Sequence, residues 1–159
     1  MKAAVIDQYH REGWVKILFE PTKDEDDFPP VSQESLWARP VPEGYEIDNI
    51  PFFVRSISSH DIVSADERDG ALVFRDLARP SGHSTVRIVP YDRSGGVHLD
   101  IFEQLGCSYE RHATYGLIAV DVPPSASYAR VRAALEKGAT EEQWDFEEGT
   151  VADNHRLQI

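Results

Sequence analysis

The stretch that decides the fold is residues 115–138, which read YGLIAVDVPPSASYARVRAALEKG. Residues 115–122 are almost all apolar and predict a strand, and Pro123 and Pro124 end it because proline cannot donate to a sheet ladder. Ser125 or Ser127 is then placed to cap a helix, since a serine side chain accepts a hydrogen bond from the first helical turn. The apolar side of this helix is formed by Tyr128, Val131 and Leu135, and Gly138 is predicted to close it.

The rest of the C-terminal half is predicted to contain one more helix and three more strands. Val97, Ile101 and Leu105 recur at i, i+4 and i+8 and predict another helix. Further strands are predicted over residues 85–91, 108–112 and 144–146. The order strand, helix, strand, strand, helix, strand matches the split βαβ arrangement. Residues 81–159 are therefore predicted to form a ferredoxin-like (βαββαβ) lobe.

The N-terminal half is predicted to be rich in β-structure. Val15, Ile17 and Phe19 alternate along a first strand. Four more short strands follow over residues 35–39, 45–50, 61–65 and 71–77, the first of them stopping at Pro40. Asp69-Gly70 is a hairpin signal between the last two. Residues 1–80 are therefore predicted to form a small β-barrel or curled antiparallel sheet lobe, and the chain as a whole an α+β protein in one compact unit.

Composition limits the possible partners. The chain has 28 acidic and 16 basic residues, for a formal net charge of −12. This charge disfavours nucleic acid and anionic lipid, which are bound through Lys and Arg, and it favours a basic partner. The start shows no signal-peptide pattern, no apolar run reaches membrane-spanning length, and Cys107 is the only cysteine. We therefore expect a cytoplasmic protein with no membrane partner, in which Cys107 is a small core residue.

Three segments together resemble the bacterial domain-of-unknown-function family 4265, over roughly residues 14–149. The segments are Glu34-Ser35-Leu36-Trp37-Ala38 leading through Tyr45-Glu46-Ile47 to Asp48-Asn49-Ile50-Pro51-Phe52-Phe53, then Pro80-Ser81-Gly82-His83-Ser84-Thr85-Val86-Arg87, then Leu105-Gly106-Cys107 with residues 117–123. The resemblance implies a small bacterial cytoplasmic protein. Some similar proteins look like immunity proteins, which neutralise secreted polymorphic toxins, and the resemblance transfers no catalytic residues.

His83 and Asp48 are the candidates for chemistry. His83 follows Gly82 between two hydroxyl residues, and a histidine in such a turn can act as general acid or base beside a carboxylate such as Asp48. The alternative is a histidine that stabilises a turn, with Asp48 bonded to local backbone. The six histidines show no pair at i, i+3 or i+4, so no metal site and no cofactor is expected. Ser94-Gly95-Gly96 lacks the glycine spacing of a nucleotide fingerprint.

Two acidic segments are the candidates for partner binding, Asp24, Glu25, Asp26 and Asp27 in one and Glu141, Glu142, Trp144, Glu147 and Glu148 in the other. Their carboxylates would steer association with a basic surface, and Trp144 would be an aromatic anchor. Alternatively, the second segment is an edge strand with Trp144 and Phe146 inward. The leading hypothesis is an immunity-type protein that occludes a cognate toxin's active site. A small hydrolase or nuclease using His83 and Asp48, and a metabolite-binding regulatory domain, remain open, as does the oligomeric state.

Overall fold

The computed structural model describes residues 13–92 and 97–159, and it is an α+β protein. A closed five-stranded barrel comes first and a four-stranded antiparallel sheet with helices follows. The barrel strands are β1 (Val15–Phe19), β2 (Glu34–Val41), β3 (Gly44–Ile47), β4 (Ile62–Arg68) and β5 (Ala71–Arg79). Ser94-Gly95-Gly96 and the first twelve residues lie outside the described part of the chain.

Because five consecutive strands alternate in direction, the first and the last strand are parallel where they meet to close the barrel. β1 pairs with β5 in parallel, and every other neighbouring pair is antiparallel. The predicted hairpin at Asp69-Gly70 is confirmed, with φ of 53° and 82° at these two residues. Ile17 and Phe19 point into the barrel, as their spacing predicts. A closed barrel leaves no edge strand exposed.

The prediction that Pro40 ends the second strand is wrong. β2 continues through Pro40 to Val41, where it pairs with β3 alone. Its pairing with β1 has already ended at Ala38. The missing N–H of Pro40 therefore faces a side of the strand where no ladder bond is made.

The second sheet contains β6 (Ser84–Pro90), β7 (Ser108–Arg111), β8 (Ile118–Val122) and β9 (Trp144–Thr150), in the spatial order β7-β8-β6-β9 with antiparallel neighbours. The helices are α1 (Asp100–Gln104), α2 (Tyr128–Thr140) and α3 (Asp153–Arg156). None of the helices in the described ranges is both long and apolar enough to cross a membrane. α1 is shorter than the predicted helix because it begins only after Leu99.

α1 and α2 pack on one face of this sheet, where Phe102, Val131 and Leu135 contact the alternate β-strand residues Val86 and Val120. Ser127 is the N-cap of α2, and its side chain accepts a hydrogen bond from the N–H of Arg130. The prediction that Gly138 closes α2 is wrong, because the helix continues to Thr140. Gly138 is buried instead against Trp144, whose indole ring occupies the space that a Cβ would need.

The other face of the sheet is polar and is covered by the segment between β3 and β4, residues 48–61, here called the junction segment. On β6 the side chains of Thr85 and Arg87 point to this face, and on β8 that of Asp121 does so. All three are buried, although none is apolar. Buried polar groups require hydrogen-bond partners, and here the partners come from the junction segment and the turn before β6. The buried polar side chains between the two lobes therefore form the candidate functional site.

Candidate functional site at the lobe junction

The carboxylate beside His83 is Asp121. The Nδ1 atom of His83 lies 2.9 and 3.0 Å from the two carboxylate oxygens of Asp121, and the side chains are 16% and 11% exposed. Asp48 is exposed at the end of β3, where its backbone N–H donates to the carbonyl of Trp37. The carboxylate that contacts Nδ1 of His83 is therefore Asp121, where the sequence had suggested Asp48. Asp121 reaches His83 because β8 pairs with β6, where Asp121 lies opposite Thr85, two residues after His83.

A second imidazole lies against the first. The ring centroids of His60 and His83 are 4.8 Å apart and the rings are inclined by 44°. The Nδ1 atom of His60 is 2.9 Å from one oxygen of Glu46, and the other oxygen accepts from Arg39 at 3.0 Å. The hydrogen bond from His60, followed by the bond and charge of Arg39, lowers the pKa of Glu46 against the opposing effect of burial. Each imidazole is therefore held by a carboxylate through Nδ1.

The hydroxyl groups near these histidines are bound to the protein itself. Ser81 donates from Oγ to the carbonyl of Ser59 at 2.8 Å, and Ser59 donates to the carbonyl of Asn49 at 2.9 Å. The Oγ of Ser58 and the Oγ1 of Thr85 are 2.7 Å apart. A serine that serves as nucleophile needs its hydroxyl directed at a base. These hydroxyls instead hold the junction together.

Asp61 organises the same corner from below the surface. It is 3% exposed, and its carboxylate accepts from the backbone N–H groups of Ser58 at 2.9 Å and of Ser81 at 2.8 Å. The carboxylate thereby links the junction segment to the turn that carries Gly82 and His83. Gly82 has φ of 88°, in the left-handed region that glycine adopts without strain.

His83 and Asp61 line a cavity of about 460 Å³ with Ser81, Asp153 and Asn154. A second cavity of about 550 Å³ lies between the barrel and the junction segment, and its lining includes Asp24, Val54 and Arg55. The two cavities share Ser56 and Leu77. The two cavities are therefore neighbours, with His83 lining one and Asp24 lining the other.

Arg87 and Glu34 fasten the junction segment, and neither was singled out from the sequence. Arg87 is 1% exposed; its Nε donates to Glu147 at 2.7 Å and its Nη1 to the carbonyls of Pro51 at 3.0 Å and Val54 at 2.9 Å. The Nη2 atom has no hydrogen-bond partner among the described residues. The guanidinium lies over Gly149, where any Cβ would collide with it.

Glu34 acts from the barrel side. Its carboxylate accepts hydrogen bonds from three successive backbone N–H groups, those of Phe52 at 2.8 Å, Phe53 at 3.1 Å and Val54 at 2.9 Å. The conformation of the Asp48–Phe53 motif is therefore set by two buried or half-buried side chains from distant strands. The available sequence signals were a glutamate at the start of a strand and an arginine inside an apolar one.

The two acidic segments differ in the structure. Asp24, Glu25, Asp26 and Asp27 form an exposed loop that Asp24 stabilises, since its Oδ1 accepts from the N–H groups of Asp26 at 2.9 Å and Phe28 at 3.0 Å. Glu141 and Glu142 are likewise exposed, between α2 and β9.

The remainder of the second segment belongs to the fold. Trp144 is 2% exposed and donates from Nε1 to the carbonyl of Leu135 at 3.0 Å, so its predicted role as a surface anchor is wrong. Glu147 accepts from Arg87, and Glu148 accepts from the hydroxyl of Tyr128 at 2.6 Å. β9 is an edge strand with Trp144 directed inward, which is the alternative arrangement considered for this segment.

A buried serine–histidine pair also has a structural role. Ser84 and His155 are both 0% exposed, with Ser84 Oγ 2.6 Å from His155 Nδ1 and His155 Nε2 3.1 Å from the carbonyl of Pro123. Burial lowers the pKa of His155. Cys107 is buried, as predicted, and burial raises the pKa of its thiol to about 12. At neutral pH this thiol stays protonated and unreactive.

In the described ranges, no three side chains among His, Cys, Asp and Glu come together as a set that could hold a metal ion.

The comparisons with known proteins give a family and a fold. The sequence pattern described as "Domain of unknown function (DUF4265)" matches residues 34–146, and no curated protein matches the chain. A structure titled "Novel crystal structure of a hypothetical protein from Neisseria gonorrhoeae" is similar, with a TM-score of 0.74 and 20% sequence identity over 90% of this chain and 97% of that one.

Proposed function

The chain belongs to the family described as "Domain of unknown function (DUF4265)", and from that premise we propose that it is a binding protein that neutralises a cognate bacterial toxin. In this proposal it acts in the cytoplasm as an immunity protein and occludes the active site of the toxin. The partner presents a basic surface of the kind that an enzyme uses to hold phosphate. No chemistry by the protein itself is required.

The observation that carries the proposal is the distribution of charge. Seven arginines are each within 4.0 Å of a carboxylate of the same chain, namely Arg39, Arg55, Arg68, Arg75, Arg79, Arg87 and Arg132. The exposed carboxylates of Glu25, Asp26 and Glu142, in contrast, form no ion pair within the described part of the chain. Unpaired negative charge is therefore present on both acidic segments, where it can steer a basic partner, and in the described ranges exposed acids such as Glu67 and Glu110 also form no ion pair.

The place of the acidic loop supports binding at the groove. Asp24, the first residue of the acidic loop, lines the cavity beside the junction segment. Glu147 and Glu148 are excluded from the proposed contact surface because Arg87 and Tyr128 already engage them. The surface therefore consists of Asp24, Glu25, Asp26 and Asp27, with Glu141 and Glu142 as a second acidic patch.

The topology of the second lobe supports the ferredoxin-like assignment as part of the proposal. The order β7-β8-β6-β9 is that of a split βαβ unit, with the last strand beside the first. α1 and α2 pack on the same face of that sheet. This leaves the opposite face for the junction segment and the barrel.

Binding to the protein encoded by the adjacent gene is the direct test. We expect calorimetry to detect a complex. In a separate kinetic measurement, the association rate of this complex should fall steeply as ionic strength rises. The double change Glu25→Lys with Asp26→Lys should slow association by roughly tenfold or more at low salt.

The matched control is Glu67→Lys with Glu110→Lys, which makes the same change of charge at two exposed strand positions outside the acidic segments. An association rate unchanged by the loop variant would remove this surface from the proposal. Absence of any complex, together with no protection of cells that express the adjacent gene product, would reject the function itself.

A hydrolytic function is the second candidate, and one observation favours it: His83 lines a cavity while Asp121 holds its Nδ1, as in an oriented general base. The acid is Asp121 in place of Asp48. The nearby hydroxyls are engaged elsewhere, so the attacking group would be water. Hydrolytic activity lost in a folded His83→Ala variant would support this candidate, and equal activity in that variant would reject it.

A further inference from the structure

The paired imidazoles of His60 and His83 have a feature that toxin binding does not use. Each ring is oriented by a carboxylate at Nδ1, at 2.9 Å from Glu46 for His60 and 2.9 Å from Asp121 for His83. In a neutral imidazole that donates from Nδ1, the Nε2 atom carries the lone pair. Neither Nε2 has a hydrogen-bond partner in the part of the chain that the structure describes.

We propose that His60 and His83 bind a divalent transition-metal ion, such as zinc or nickel, through their Nε2 atoms, with water completing the coordination. Imidazole is a ligand that suits these ions. A histidine that binds metal usually donates its other ring N–H to a carboxylate, which fixes the tautomer and strengthens the ligand. Both rings have this arrangement, although they come from separate segments of the chain.

The spacing of the rings fits a shared ion. Two imidazoles bound to one tetrahedral zinc, with Zn–N bonds of about 2.0–2.1 Å, have ring centroids roughly 5 Å apart. The observed separation is 4.8 Å. The side chain of His60 is 51% exposed, so an ion can reach the pair from solvent.

Local charge and backbone conformation support the same site. The carboxylate of Asp121 offsets part of the added positive charge, Glu46 is shared between His60 and Arg39, and Asp61 is buried next to His60 in the sequence. His60 has φ of 68°, a conformation that a non-glycine residue adopts at some energetic cost. Because the protein supplies two ligands, the affinity should be modest beside that of a four-ligand structural zinc site.

Calorimetric titration of the full chain with zinc chloride, and separately with nickel chloride, tests this inference. We expect one ion per chain, with affinity lowered roughly tenfold or more in His60→Ala. The control is His98→Ala, which removes an exposed histidine elsewhere and should leave the affinity unchanged.

His83 is more buried, so a measurement on the unaltered protein keeps the test independent of folding. In nitrogen-15 spectra of the histidine rings, zinc should move the Nε2 signals of His60 and His83 and leave that of His98 in place. No bound ion at millimolar metal, or equal affinity in His60→Ala and the unaltered protein, would overturn the site. Toxin binding does not depend on this result, because the acidic loop is a different set of residues.

Discussion

Replacing Arg87 with methionine should weaken the attachment of the junction segment to the second sheet. Methionine matches much of the aliphatic volume of arginine but removes the three hydrogen bonds to Glu147, Pro51 and Val54. The two carbonyls are then left buried without this donor, at about 1–3 kcal/mol each, while Glu147 keeps its contact with Arg55 at 3.3 Å.

The expected loss of stability in Arg87→Met is the balance of two opposing effects. Removing one partner of a fully buried ion pair destabilises proteins by about 3–5 kcal/mol, which is an upper limit here because the side chain of Glu147 is 31% exposed. The unsatisfied Nη2 of Arg87 argues for the lower end, because methionine removes that cost as well. We therefore expect the free energy of unfolding to fall by about 3 kcal/mol, which corresponds to a midpoint temperature roughly 6–12 °C lower for a chain of this size.

Urea unfolding followed by tryptophan fluorescence measures this change, with Trp37 reporting on the barrel and Trp144 on the second lobe. The control is Arg55→Met. Arg55 binds the same carboxylate, but its side chain is 54% exposed, so its loss should lower the free energy of unfolding by less than about 1 kcal/mol. Equal losses in the two variants, or a loss below about 1 kcal/mol for Arg87→Met, would refute the reasoning.

Three further predictions concern single positions. Gly138→Ala should lower the free energy of unfolding by about 1–3 kcal/mol in urea titrations despite the better helix propensity of alanine, because the new methyl group overlaps Trp144; an increase would contradict that packing. As the pH is lowered below 6.5, the free energy of unfolding should decrease, because His155 takes up a proton more readily in the unfolded chain than in the folded one. His155→Gln should make the stability less dependent on pH in thermal melts, and parallel pH profiles of the two proteins would count against this. Cys107 should react with a thiol reagent at neutral pH only at the rate of unfolding, which a denaturant series measures, and fast labelling of the native protein would show that the thiol is accessible.

Local patterns were enough to predict most of the elements. Ile17 and Phe19 alternate because a strand directs successive side chains to opposite faces, and this holds before any partner strand is known. Ser127 caps α2 through a hydrogen bond to a residue three positions away. The turn at Asp69-Gly70 is similarly short in range. In each case the interacting groups are close in the sequence, so the sequence alone identifies them.

The candidate site could be predicted only in part for the opposite reason. His83 was recognisable from its surroundings, but its carboxylate is 38 residues away on a strand that becomes its neighbour only when β8 pairs with β6. The acids around Trp144 and Glu147 suggested a surface, and only the packing of α2 and the position of Arg87 reveal that Trp144 is buried and that Glu147 is bound within the fold.

By itself, the sequence determined the barrel strands, the helices α1 and α2, the acidity and the single buried thiol, since each depends on composition or on contacts between close positions. The tertiary structure decided which acid holds each histidine, which arginine fastens the junction segment and which carboxylates remain on the surface. Those pairings depend on strand order and on side chains that meet across the lobe junction. Hydrogen bonds of this kind act over about 3 Å in space at any separation in the sequence.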